Sequence, residues 1–174
     1  MEEIELTYLP KMLPAGIECA LCKEILDIYI PAVAEHPTLR IRKIGEKYEI
    51  TKKEPIHGTD SSYQLETTIP LSKGEYEELS QLEGKRARKT RYGYHEDGIH
   101  YEIDIFRDKL TGLVLVDIEF NSLEEKKNFN PPEWCLAEVT QEKFLAGGMV
   151  CGKSYTDLQG QLDKFGYNKI ISKL

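Results

Sequence analysis

The sequence predicts a mainly β fold of the α+β class: a closed eight-stranded antiparallel β-barrel with packed helices, including helices at the C-terminal end. Three observations carry this expectation. Short runs rich in β-branched and aromatic residues recur from residue 3 to 120, each stopped by a turn signal. One helical pattern interrupts them, and the remaining helical patterns come only after residue 121. Eight antiparallel strands are enough to close a barrel, which removes the exposed edges that an open sheet leaves.

The elements follow in chain order. EIELTYL (3–9) alternates acid with apolar and reads as a strand with two unlike faces. EILDIYI (24–30) is β-branched and aromatic and is stopped by Pro31. TLRIRK (38–43) and KYEITKK (47–53) flank Gly45-Glu46, which reads as a hairpin turn. YQLETTI (63–69) follows a polar loop. SKGEYEELSQL (72–82) reads as a helix, with Ser72 and Glu75 at capping-box spacing. RARKTRYGY (86–94) and IHYEIDIF (99–106) pair across Asp97-Gly98, and GLVLVDIEF (112–120) is the eighth strand. Helices are expected over 122–129, 139–146 and 154–165, packed on the apolar outside of the strands.

At 174 residues the chain reads as a single domain, 1–174, long enough for its own core. A net charge of -7 argues against a general nucleic-acid binder. No apolar run approaches the ~18 residues of a membrane span, and the N-terminus lacks a signal-peptide layout, so a cytoplasmic protein is expected. The four cysteines, Cys19, Cys22, Cys135 and Cys151, lack the paired short spacings of a structural zinc site and read as reduced, mostly packing thiols. His36, His57, His95 and His100 make no zinc-enzyme spacing.

One face of each strand carries the charge. It holds Glu3 and Glu5, Arg40 and Arg42, Glu49 and Lys53, Glu66, Lys89 and Arg91, Glu102 and Asp104, and Asp117 and Glu119. Alternation of this kind commonly marks the solvated face of a sheet. Two features suit a working surface instead. Acids at i, i+2 repel one another in water but suit a divalent cation that takes oxygen ligands. Bases at i, i+2 suit an extended polyanion. If helices cover the apolar face, the charged face points into the barrel.

Six motifs in register resemble the CYTH family, the triphosphate tunnel metalloenzymes. They are Glu3-x-Glu5, LRIRK (39–43), YEIT-x-Lys53, Glu66 ahead of IPL, KTRY (89–92) with EIDIF (102–106), and GLVLVDIEF followed by PPEW and EVT. The resemblance implies a charged tunnel in which Mg²⁺ or Mn²⁺ assists hydrolysis of inorganic triphosphate or a small organic triphosphate. It implies Glu3, Glu5, Asp117 and Glu119 as metal ligands, and Arg40, Arg42, Lys53, Lys89 and Arg91 as the triphosphate-binding set. Glu5, Glu66 and Asp104 would be catalytic. It also leaves open a class IV-type adenylate cyclase. The expected partner is the small-molecule substrate, with no nucleic acid and no membrane, in a monomer or homodimer.

The chain departs from the family's E-x-E-x-K pattern at Thr7. Lys11 or Lys153 could supply the lost charge, the enzyme could be slow or prefer another substrate, or the chain could bind a polyanion without turning it over.

Overall fold

The computed structural model describes residues 1–172 and 174. Nine strands form one sheet: β1 (Glu2–Pro10), β2 (Leu21–Ile30), β3 (Leu39–Ile44), β4 (Lys47–Pro55), β5 (Tyr63–Leu71), β6 (Lys85–Glu96), β7 (Ile99–Phe106), β8 (Val114–Phe120) and β9 (Cys135–Glu138). Their order is β5-β4-β3-β2-β6-β7-β8-β1-β9, and a further β5–β1 pairing closes the first eight into an antiparallel barrel. β1 is the closing strand. One edge pairs with β8 through Ile4–Tyr8, and the other pairs with β5 at Glu2–Ile4 and with β9 from Tyr8 onward.

The turns are built by the residues that tolerate them. Asp97 and Gly98 both have positive φ, 50° and 78°, which a two-residue hairpin of the favoured twist requires and which Asp-Gly supplies cheaply. Gly45, at φ 53°, does the same between β3 and β4. α1 (Lys73–Leu79) starts at the expected capping box: the Ser72 hydroxyl accepts from the Glu75 N–H, and the Glu75 carboxylate accepts from the Ser72 N–H. α2 (Leu123–Asn128) has only the forward half of such a box: the Ser122 hydroxyl accepts from the Glu125 N–H, and the Glu125 carboxylate accepts from the Asn121 N–H.

The helix expected over 139–146 does not form. β9, which the sequence pattern did not reveal, precedes that stretch. Val139 donates its N–H to the Thr7 carbonyl, and a 3₁₀ turn occupies Lys143–Leu145. The physical reason is β1: beyond Ile4 its second edge has no β5 partner, and an unpaired strand edge recruits whatever backbone can reach it. Short α3 (Gly147–Val150) and α4 (Tyr155–Leu162) follow, the latter opened by a Ser154–Asp157 capping box.

Two apolar clusters result. One covers the outer face of β1, β7 and β8, where Leu6, Ile103, Val116 and Ile118 pack under Ile17, Phe129 and Trp134. The other corrects the expectation that the late helices lie on the outside. On the inner face, charge gives way to Leu9, Phe106, Leu113 and Leu115 at one end, and these pack with Phe144, Leu145, Val150, Leu158 and Leu162. The C-terminal segment therefore closes that end of the barrel. Tyr167 ties it down, its hydroxyl accepting from the Val114 N–H and donating to the Gly112 carbonyl, each at 2.8 Å.

Cys135 and Cys151 are buried packing thiols, and burial pushes both up to about 12; Cys19 and Cys22 are exposed and unbonded. Among the described residues, no helix is long and apolar enough to cross a membrane.

Candidate active site

The strand period places the charged face inside the barrel. Register then decides which charges meet. Glu5 stands opposite Glu119, and Thr7 opposite Asp117, across β1 and β8. Carboxylate oxygens of Glu3, Glu5 and Glu119 lie within 4.8 Å of one another. Burial, followed by the negative charge of Asp117, pushes Glu5 up to about 8, against the pull of Lys53 and Arg91. Burial and then Glu3 raise Glu119 as well. Acids crowded in this way relax when a hard cation sits among them, so the donor set fits a divalent metal.

Lys53 reaches into this group from β4. Its Nζ lies 2.5 Å from Glu3, 3.4 Å from Glu66 and 3.9 Å from Glu5. Burial works against its charge, but Glu5 and Glu3 outweigh that and lift it to about 12. Glu66 also accepts from the Thr68 hydroxyl at 2.8 Å. Burial opposes its charge, yet the Thr68 bond and Lys53 hold its carboxyl below the usual range.

Deeper in, Arg91 grips Asp104 with two bonds of 2.7 Å, reaches Asp117 at 3.2 Å and pairs with Glu102. Lys89 donates to the same Asp104 carboxylate. Asp104 is 1% exposed; its burial opposes ionisation, but Arg91 and Lys89 hold its carboxyl far below the ordinary range. Burial lowers Lys89, with Asp104 pulling the other way.

On the far wall, Arg42 forks onto Asp27 at 2.6 and 2.8 Å. Arg40 lies 3.9 Å from Asp27 and donates to the Tyr29 hydroxyl at 3.4 Å. Among the described residues, its buried Nε has no hydrogen-bond partner. A buried, charged donor left unsatisfied in a tunnel is a group waiting for an acceptor.

The structure thus gathers every predicted site residue in one tunnel, though not in one cluster. Glu3, Glu5 and Glu119 group as a metal site would require. Asp117 stands beside them, turned to Arg91 and to the Thr7 hydroxyl, which donates to it at 2.9 Å. Neither candidate lysine replaces the motif charge at Thr7. Lys11 donates to the Glu133 carbonyl, and Lys153 lines a groove outside the barrel. Tyr8 and Tyr92 are buried in the outer-face core, and Tyr94 packs against it partly buried.

Sequence reasoning passed over Asp27 and Tyr29 as site residues. Their signal was parity: in Ile25, Asp27 and Tyr29, every second residue of an apolar strand, an acid occupies an inward position.

Comparisons with known proteins agree with this geometry. No protein-family model matches the sequence. The chain is 32% identical over 145 residues to an inorganic triphosphatase of Nitrosomonas europaea, covering 82% of this chain and 92% of that protein. It is 30% identical over 116 residues to an inorganic triphosphatase of Acetivibrio thermocellus, covering 65% and 71%. A crystal structure of an inorganic triphosphatase superposes with a TM-score of 0.63 at 28% identity, covering 87% of this chain and 95% of that one. With 92% of the Nitrosomonas protein spanned at this identity, the chain belongs to the family of the inorganic triphosphatases.

Proposed function

We propose that this protein hydrolyses inorganic triphosphate, or a small organic triphosphate, inside the barrel, as a CYTH-type tunnel enzyme assisted by Mg²⁺ or Mn²⁺. The observation that carries the reading is the juxtaposition in one tunnel of the three grouped carboxylates and the Arg40 Nε, a buried donor without an acceptor among the described residues. The metal would supply Lewis-acid neutralisation of phosphate oxygens.

Charge balance supports the need for it. Among the described residues, the five predicted cations (Arg40, Arg42, Lys53, Lys89, Arg91) share their strand face with nine acids (Glu3, Glu5, Asp27, Glu49, Glu66, Glu102, Asp104, Asp117, Glu119). A polyanion entering such a wall meets net repulsion until a cation offsets it. Glu3, Glu5 and Glu119 would hold the metal. Arg40, Arg42 and Arg91 would clamp phosphate oxygens, with Lys53 and Lys89 as point charges along the chain. Asp104 spends its oxygens on Arg91 and Lys89, which favours a positioning part. Glu66, at the Lys53 end, is the carboxylate placed to orient water.

A second reading, a binder without turnover, draws on Thr7, whose hydroxyl cannot replace a lysine charge. One assay separates the two. Purified protein is incubated with tripolyphosphate, ATP or thiamine triphosphate and Mg²⁺ or Mn²⁺, beside Glu119→Gln. Orthophosphate and pyrophosphate from tripolyphosphate, absent with the variant, support the triphosphatase. Cyclic AMP from ATP would make it a cyclase, and saturable binding with no product would make it a binder.

A further inference from the structure

The tunnel is closed at one end, which fixes where the non-phosphate part of a substrate can lie. The closed end is the apolar one, where Leu9, Phe106 and Leu115 pack with the C-terminal helices. β7 reaches that end at Phe106, which stands opposite Lys89 of β6. The other ends of these two strands, with His95 and His100, therefore border the open mouth. Both histidines take the inward parity of their strands. His95 follows Lys89 and Arg91 at every second residue, and His100 precedes Glu102 and Asp104 in the same way.

The two are cross-strand partners, with ring centroids 4.5 Å apart and ring planes inclined by 35°. Gly93 leaves the room for this: a Cβ there would lie 3.1 Å from His100 Nε2. On the other side of β7, Glu102 pairs with Asp117 of β8. Two residues further out, that register brings His100 to Glu119, one of the three grouped carboxylates. His100 and Glu119 line one cavity of about 660 Å³ between the β6–β7 turn, the end of β8 and α2, whereas His95 does not line it. His95 thus backs one side of the His100 ring, and the cavity opens on the other. Its volume is that of a small-molecule site.

The lining selects the occupant. It includes Glu119 and Glu125 but no lysine or arginine, so a phosphate finds no partner there, while the cations stand inside the tunnel. The partly buried Ile99 and Phe129 give it an apolar border, and Asn128 adds an amide. A ring face, an apolar border and an amide suit a flat heteroaromatic group. We propose that this rim cavity takes the base of a nucleoside triphosphate whose phosphates enter the tunnel, the base stacking on His100 while His95 braces that ring from behind. His100 is then a specificity-determining residue and His95 a positioning residue, an assignment that rests on the proposed reading of the tunnel as a phosphate site. Inorganic triphosphate, with no base, leaves the cavity unused.

The test is calorimetric titration with non-hydrolysable imido analogues of ATP and of tripolyphosphate, each with Mg²⁺, so that binding is read without turnover. His100→Ala should raise the ratio of the two Kd values, ATP analogue over tripolyphosphate analogue, by about tenfold or more, the effect of losing one aromatic face under a base. His100→Phe keeps a ring face and should hold that ratio within about twofold of wild type. His95→Ala should move the ratio in the direction of His100→Ala by a smaller factor. An unchanged ratio in His100→Ala overturns the inference. So does equal weakening of both ligands, which would make His100 part of the phosphate or metal site. A His100→Phe variant as impaired as His100→Ala would overturn stacking as the contact. Binding of the tripolyphosphate analogue without the ATP analogue sinks this inference alone, and binding of neither sinks the tunnel reading with it.

Discussion

The Thr7 hydroxyl donates to Asp117 Oδ1 at 2.9 Å, while Asp117 Oδ2 accepts from Arg91 at 3.2 Å. A residue that looks like a lost lysine is therefore the anchor of an acid, which in turn holds Arg91. Thr7→Val should keep the fold and lower kcat by about fivefold, the effect of one hydrogen bond near 1 kcal/mol. Thr7→Lys should place an ammonium against Asp117 and lower KM for tripolyphosphate. Steady-state kinetics on the two variants checks both, and an unaltered KM in Thr7→Lys would sever the link between position 7 and substrate charge.

Glu5 gives a pH dependence of defined sign. Its pKa rises from 4.5 to about 8 on folding, so the fold favours the protonated form. In metal-free protein that stabilisation is complete below the unfolded value and fades as pH climbs through about 8. Glu5→Gln should flatten this decline and raise Tm by about 5 °C near pH 9, at ~3 °C per kcal/mol for a chain of this size. Turnover should vanish in the same variant. Thermal scans from pH 5 to 9 in EDTA decide it; a lower Tm for Glu5→Gln at high pH would make Glu5 a structural partner.

Asp27 carries a cost of the opposite kind. Burial opposes its charge, but the Arg42 fork outweighs it and drives the carboxyl far down. Asp27→Asn leaves a buried guanidinium unpaired and should cost about 3–5 kcal/mol. Denaturant titration would show the midpoint fall, and a shift under ~1 kcal/mol would mean that water or Arg40 rearranges to cover the loss.

Arg40→Ala removes the cation with the idle Nε. It should weaken tripolyphosphate binding by about 10–100-fold, the range for a hydrogen bond to a charged group, and leave Tm nearly unchanged. Calorimetric titration measures this, and an unaffected Kd would place the phosphate chain elsewhere in the tunnel.

Gly148 tests the closed end. A Cβ there would sit 2.0 Å from the Pro37 carbonyl oxygen, a backbone atom with nowhere to go. Gly148→Ala should cost about 1–3 kcal/mol by overpacking. Thermal unfolding checks it.

The sequence by itself determined the eight barrel strands, the capped α1, the Asp97-Gly98 and Gly45-Glu46 turns, and which residues share the charged face. These are local properties: period two, cap spacing and positive φ are fixed within a few residues. Tertiary structure decided what is non-local. It added β9 to the open edge of β1, sent the C-terminal helices to the end of the barrel, and joined Arg42 to Asp27 across β2 and β3. It also divided the charged face, grouping Glu119 with Glu3 and Glu5 while turning Asp117 to Thr7 and Arg91. The reason is register: alternation says which side of a strand a charge takes, but only the closed barrel sets which charges from distant strands stand within a few ångströms of one another.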